Sequence, residues 1–281
     1  SMVRLHFGGM SSIWAAGLGG GRSPLSAKSR NYLVRMLSRL NPHVTGVIRG
    51  NLYSCLGYVA TIKSEWRGVI EVIDEALLHF GNDDNPMSFE VSQARWLEIW
   101  ARWNLGHWQQ MQEVFHELLG DAKRRSDLLQ LMLTTNGFCG NALLCQDDVE
   151  SLLALHQECE ALCGKTDKLE LVDIFHWAQA VNLDLYQGQI ASAAGKVHWM
   201  LGGIETAMVA VMPVIKLSAL QLAVLTCLQL RQRSWGRVDG VSAVESPVFS
   251  DRSPLREADY VNSLLVQLAE LGEFGECLAA L

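Results

Sequence analysis

The sequence predicts an all-α fold, built as an α-solenoid of antiparallel helical hairpins that repeat about every 42 residues. Three observations predict it. A short turn phrase recurs six times at near-constant spacing. Apolar residues follow each turn at helical rather than alternating intervals. Six prolines in 281 residues, with few Val/Thr alternations, leave long stretches free to be helical.

The phrase is a small or polar residue, a polar residue and then a bulky one. It reads Ser64-Glu65-Trp66, Gly106-His107-Trp108, Asp147-Asp148-Val149, Gly188-Gln189-Ile190, Arg233-Ser234-Trp235 and Gly272-Glu273-Phe274. The third residues are 42, 41, 41, 45 and 39 positions apart. Apolar residues follow at helical steps, as with Val69 and Ile73, Met111 and Phe115, Ala193 and Val197. A helix that ends on a residue tolerant of the left-handed conformation accounts for the first position, glycine being the least penalised there. The bulky third residue then wedges the corner, and Trp66, Trp108, Ile190 and Trp235 are expected at equivalent places in successive hairpins.

The helices expected in order run over 28–40, 44–62, 66–80, 88–105, 108–124, 127–144, 148–163, 168–187, 190–202, 213–232, 255–271 and 274–281. Glycine, Asn/Asp and proline mark the connections, most clearly in 81–88 and in the long segment 236–254. A solenoid is one quasi-linear body, so residues 26–281 are expected to form a single domain. Residues 1–25, which open with Ser1 before Met2, are expected to be a tag scar and connector or an N-terminal fragment.

The net charge of −7 argues against a protein built to hold nucleic-acid phosphates. The basic clusters Lys123-Arg124-Arg125 and Arg231 with Arg233 sit at predicted helix ends, where they complement the helix dipole. Seven cysteines, an odd count embedded in apolar runs, read as small hydrophobes in a reducing, cytoplasmic setting. The most apolar segment, 204–230, is interrupted by Glu205, Pro213 and Lys216, and is expected to be a buried helix rather than a membrane span.

Catalytic patterns are sparse. The stretch "AAGLGGGRS" (15–23) has the spacing of a phosphate-binding loop, but no buried strand leads into it and Pro24 follows. It reads as a flexible connector. His156, Cys159 and Cys163 share one helical stripe and could contribute three soft ligands to zinc, yet Leu152, Leu155 and Leu162 surround them and favour core cysteines. Asp83-Asp84 and Asp147-Asp148 fall in turns or at helix starts, where capping explains them. No H-E-x-x-H, G-x-S-x-G or protein-kinase motif is present. The chain is expected to be non-catalytic, with no cofactor and no metal.

Trp96, Trp100 and Trp103 recur at i, i+4 and i+7 in "ARWLEIWARWNLG". Counting back from Gly106 places them on the inner, ligand-facing side of the first helix of a hairpin; a register shifted by longer helices makes the same stripe core, the commoner use of such a pattern. Trp96, Trp100 and Trp103 are therefore carried, with Gln179 and Asn182, as a candidate concave binding surface.

Two resemblances add to this reading. The segment "LYSCLGYVATIKSEWRGVIEVIDEALLHF" (52–80) resembles a tetratricopeptide (TPR) repeat, although a period of 42 exceeds the 34 of that family and implies longer helices. The segments 57–80, 88–137 and "FHWAQAVNLDLYQGQIASAAGKV" (175–197) resemble the C-terminal helical tail of very large bacterial serine/threonine protein kinases of the planctomycete type. In that family a kinase domain and an ATPase-like domain precede a TPR-like tail. The resemblance implies a regulatory module that binds a protein or peptide, including a kinase or ATPase domain of its own chain, and it transfers no catalytic residue. The alternative is the helical sensor domain of a signal-transduction ATPase or transcription regulator that binds a small ligand. An enzyme with a pocket between helices is the rival from another class.

Overall fold

The computed structural model describes residues 24–41, 45–81, 88–135, 139–162, 171–206 and 222–226, with single positions at 9, 219 and 229. Ten helices are described in full: α1 (Pro24–Ser38), α2 (Gly46–Ile62), α3 (Trp66–Gly81), α4 (Ser88–Leu105), α5 (Trp108–Arg125), α6 (Leu128–Thr135), α7 (Asn141–Leu144), α8 (Val149–Leu162), α9 (Leu171–Tyr186) and α10 (Ile190–Thr206). No strand occurs among the described residues. The protein is all-helical, and α2 with α3, α3 with α4, α4 with α5 and α9 with α10 pack as adjacent pairs. The helices expected over 255–271 and 274–281, the corner at Trp235 and the segment 236–254 lie outside the described residues.

The helix ends follow from local chemistry. Ser64, Gly106, Asp147 and Gly188 have φ of 57°, 72°, 59° and 72°, so the first position of each of these turn phrases is left-handed. At each, the left-handed residue's amide donates to the carbonyl three places back at 2.9, 3.2, 3.1 and 3.1 Å. The next residue's amide donates five places back at 3.0, 2.9, 3.0 and 2.7 Å, which caps the carbonyls a helix end leaves open. The following helix starts within two residues. The residue five places beyond the left-handed one, Val69, Met111, Leu152 or Ala193, is fully buried.

A fifth turn of the same construction joins α5 to α6 at Ser126, φ 54°, where Ser126-Asp127-Leu128 has the form of the same phrase but falls between the repeats spaced by about 42 residues. Serine there, as at Ser64, lacks glycine's freedom, and the same pair of capping bonds offsets the strain. The next helix is started by Asp127, whose Oδ1 accepts the Gln130 amide at 3.0 Å.

The expected helix 127–144 is two helices. Cys139 and Gly140 form a turn before α7, and the reason for glycine is contact rather than φ. A Cβ on residue 140 would lie 2.6 Å from Gln179 Oε1 and 2.7 Å from the Thr135 carbonyl. The chain therefore bends where α9 presses against it, information held 39 residues away.

Most of the apolar interior is one continuous cluster from Trp66 on α3 to Met200 on α10, with a smaller one around Leu33, Leu52 and Val59 joining α1 to α2. The corner residues do not all behave alike. Trp66 and Ile190 are buried, whereas Trp108 is 46% exposed and meets Trp103 edge to face at 5.0 Å. The expectation that Trp108 is a buried wedge equivalent to Trp66 is therefore corrected: Trp103 covers one side of its ring and solvent the other.

These facts set expected results for the turns. Gly106→Ala and Gly188→Ala should each destabilise by about 1 kcal/mol, since a Cβ is penalised at positive φ. Trp108→Ala should also cost about 1 kcal/mol, because half of its apolar surface is already in water. Urea denaturation of the three variants beside the parent checks this; a raised midpoint for either glycine variant contradicts the left-handed turns.

Candidate functional site

The five residues carried from the sequence as a binding surface separate into two environments. Trp96 and Trp100 are 9% and 2% exposed and belong to the main core. Trp66, Trp100, Trp96 and Phe175 form a chain of rings with centroids 5.9, 5.3 and 5.5 Å apart, running from α3 through α4 to α9. Only Trp103, half-buried against Trp108, reaches the surface from this stripe. Of the two register alternatives, the core one describes Trp96 and Trp100; as exposed contacts on a concave surface they are corrected.

Gln179 is 1% exposed on α9, and Asn182 one turn later is half-buried. The Gln179 Nε2 donates weakly to Asn141 Oδ1 at 3.5 Å. Gln179 Oε1 and Asn182 Nδ2 are buried with no hydrogen-bond partner among the described residues. Around them lies a polar seam within the apolar cluster. Gln130 Nε2 donates to Thr134 Oγ1 at 2.9 Å, and Thr135 Oγ1 lies 2.7 Å from Cys159 Sγ. The seam thus joins α6, α7, α8 and α9.

The residues considered for zinc resolve in the same region. Cys159 is fully buried and engaged with Thr135, while His156 is half-buried and stacks on His176. Cys163 lies outside the described residues. No group of three or more metal-ligating side chains occurs among the described residues. Burial pushes the Cys55 thiol up to about 12 and raises that of Cys139, so these are unreactive core residues. The stretch 15–23 lies outside the described residues.

Two charged groups that sequence reasoning missed are buried. The Glu98 carboxylate on α4 is 2% exposed and held between Arg95 at 2.9 Å and Arg102 at 2.6 Å. Arg95 also reaches Glu117 of α5 at 3.6 Å. Across the seam on α3, desolvation and the neighbouring Glu98 raise the Asp74 carboxyl above its ordinary value, Arg102 and Arg95 opposing. Asp184 on α9 is buried and accepts from Lys196 Nζ of α10 at 2.6 Å. A signal for the first existed in the i, i+3 and i+4 spacing of Arg95, Glu98 and Arg102. For the second, Asp184 and Lys196 lie four before and eight after Gly188, facing positions of a hairpin.

Comparison with protein-family models, with curated proteins and with solved structures found no match for this chain. Among the described residues no helix is long and apolar enough to cross a membrane. Fold and site define the class: among the described residues, an all-helical protein whose interior combines an aromatic spine with a buried carboxylate paired along one helix, Glu98, and another paired across two, Asp184.

Proposed function

We propose that this chain is a non-catalytic protein-interaction module, an α-solenoid of TPR-like hairpins with a period near 42 residues, and that its natural setting is the C-terminal part of, or a relative of, a large bacterial serine/threonine protein kinase. The observation that carries the solenoid reading is the recurrence of one turn at Ser64, Gly106, Asp147 and Gly188, each with the same pair of capping bonds and the same buried residue five places on. Stacked hairpins of this kind bury one face of each helix against its neighbours and leave an extended surface for a helix or peptide. Trp103 is the member of the tryptophan stripe that reaches the surface, where it forms a rim pair with the corner residue Trp108.

The kinase setting rests on the sequence resemblance alone, and its test is direct. The coding sequence upstream of this chain should encode a kinase domain. Titrating that domain with the chain should give saturable binding, weakened at least tenfold by Trp103→Ala combined with Trp108→Ala. An upstream sequence without kinase motifs overturns the kinase setting; binding unaffected by the double variant overturns the surface. The chain alone should neither phosphorylate a generic substrate nor hydrolyse ATP, and magnesium-dependent ATP binding lost on Arg22→Ala would contradict this.

A second reading, a helical sensor domain for a small ligand, draws support from a different observation. Gln179 Oε1 and Asn182 Nδ2 are polar atoms taken out of water without a partner among the described residues, the condition a bound polar ligand relieves. A thermal-shift screen of polar metabolites separates the readings: a stabilising ligand whose effect disappears in Gln179→Leu favours the sensor.

A further inference from the structure

The imidazoles of His156 on α8 and His176 on α9 lie face to face, with centroids 3.8 Å apart and planes within 6° of parallel. Their setting makes this contact structurally important. Among the described residues, most successive helices pack closely, whereas α8 and α9 approach each other less closely and are bridged by side chains. At the far end of the junction Tyr186 Oη donates to Asp147 Oδ1 at 2.6 Å. Ten residues of helix, about 15 Å, separate that tie from the histidine pair. Besides the apolar residues that both helices give to the main core, the junction thus carries two polar ties, one of which can take up a proton as the pH falls.

The charged and titratable groups acting on His156 are His176 and Asp184 from α9 and Lys196 from α10. The Asp184 carboxylate favours an imidazolium but is shared with Lys196 Nζ at 2.6 Å, whose positive charge opposes it. Along the adjoining seam the groups on α6 and α7 are neutral: Thr135 is bonded to Cys159, and Asn141 accepts from Gln179. His156 Nδ1 is buried with no partner among the described residues. A proton arriving on the pair meets a half-buried site, a second imidazole at van der Waals distance and the Lys196 ammonium.

We propose that the stacked His156–His176 pair is a proton-operated latch, closed when both rings are neutral and released on acidification, so that α8 separates from α9 while the helices on either side stay folded. Burial first, then His176 and Lys196, lower His156 to a pKa of about 4, with Asp184 opposing. The ordinary value is about 6.5. Between those two values the closed state binds fewer protons than the opened one, so latch stability is complete above about pH 6.5 and is lost as the pH falls toward 4. Apolar contacts hold α2 to α5, and the Asp184–Lys196 pair ties α9 to α10; neither depends on a histidine.

The test is a pH titration of the full 281-residue chain from pH 8 to 4. Side-chain NMR follows each histidine, and amide hydrogen exchange, corrected for intrinsic rate, follows each helix. His156 should titrate at least one unit below the ordinary imidazole value of about 6.5, and protection over α8 should fall about tenfold between pH 7 and pH 5 while α3 and α4 keep theirs. His156→Phe with His176→Phe, which keeps two stacked rings and removes both protons, should abolish that loss. Should the double variant not fold, the parent titration decides alone. Ordinary titration of both histidines, acid loss of protection spread evenly over all helices, or a loss that persists in the double variant overturns the latch.

Discussion

Trp100→Ala is expected to destabilise the protein by about 4 kcal/mol, the largest effect of any single substitution considered. Trp100 is 2% exposed and sits in the middle of the ring chain, 5.9 Å from Trp66 and 5.3 Å from Trp96. Truncation removes a large buried apolar surface and leaves a void bounded by two bulky rings that have no smaller arrangement to relax into. It also removes two aromatic contacts worth about 0.5–1.5 kcal/mol each beyond their buried area. Trp103→Ala, four-fifths of a turn further along the same helix but half-exposed, should cost clearly less. Urea denaturation of both variants checks the order. A loss for Trp100→Ala as small as that for a half-exposed tryptophan would mean that the α3–α4–α9 spine does not exist.

Removing both cations from Glu98 is expected to cost about 3 kcal/mol. Arg95→Met combined with Arg102→Met keeps most of the side-chain volume and strands a carboxylate that is 2% exposed. Each single variant should cost much less, because the other arginine still reaches the carboxylate. Adding Glu98→Leu to the double variant should restore most of the loss, since an apolar residue in place of a buried ion pair is often neutral whereas a buried charge without its partner is not. A double-mutant cycle in urea reads both effects. If the two single losses simply add up and Glu98→Leu restores nothing, the arginines act at the surface and Glu98 is not a buried hub.

The two results concern features with unequal legibility. Residues 88–105 were readable as a helix, and the tryptophan stripe was visible in its spacing. Which side of that stripe met solvent was not readable. The structure divides it, with Trp96 and Trp100 inside and Trp103 at the rim, because α3 and α9 cover the first two while the third packs only on the edge of the core beside Trp108. The Glu98 hub was spaced for contact along one helix, yet that spacing is equally common on solvated faces. Its importance comes from burial, to which no local pattern points.

The sequence by itself determined where helices stop. The turns at Ser64, Gly106, Asp147 and Gly188 are decided within about six residues, by left-handed backbone at one position and capping bonds to carbonyls three and five places back. Such local energetics leaves a mark in the local residues, most plainly in the glycines. Tertiary structure alone decided that the chain bends at Gly140 to admit Gln179, that Trp108 lies open while Trp66 is covered, and that His156 meets His176. Each of those outcomes depends on a partner on another helix. Burial is a property of what covers a residue, and the covering residue can be anywhere in the chain.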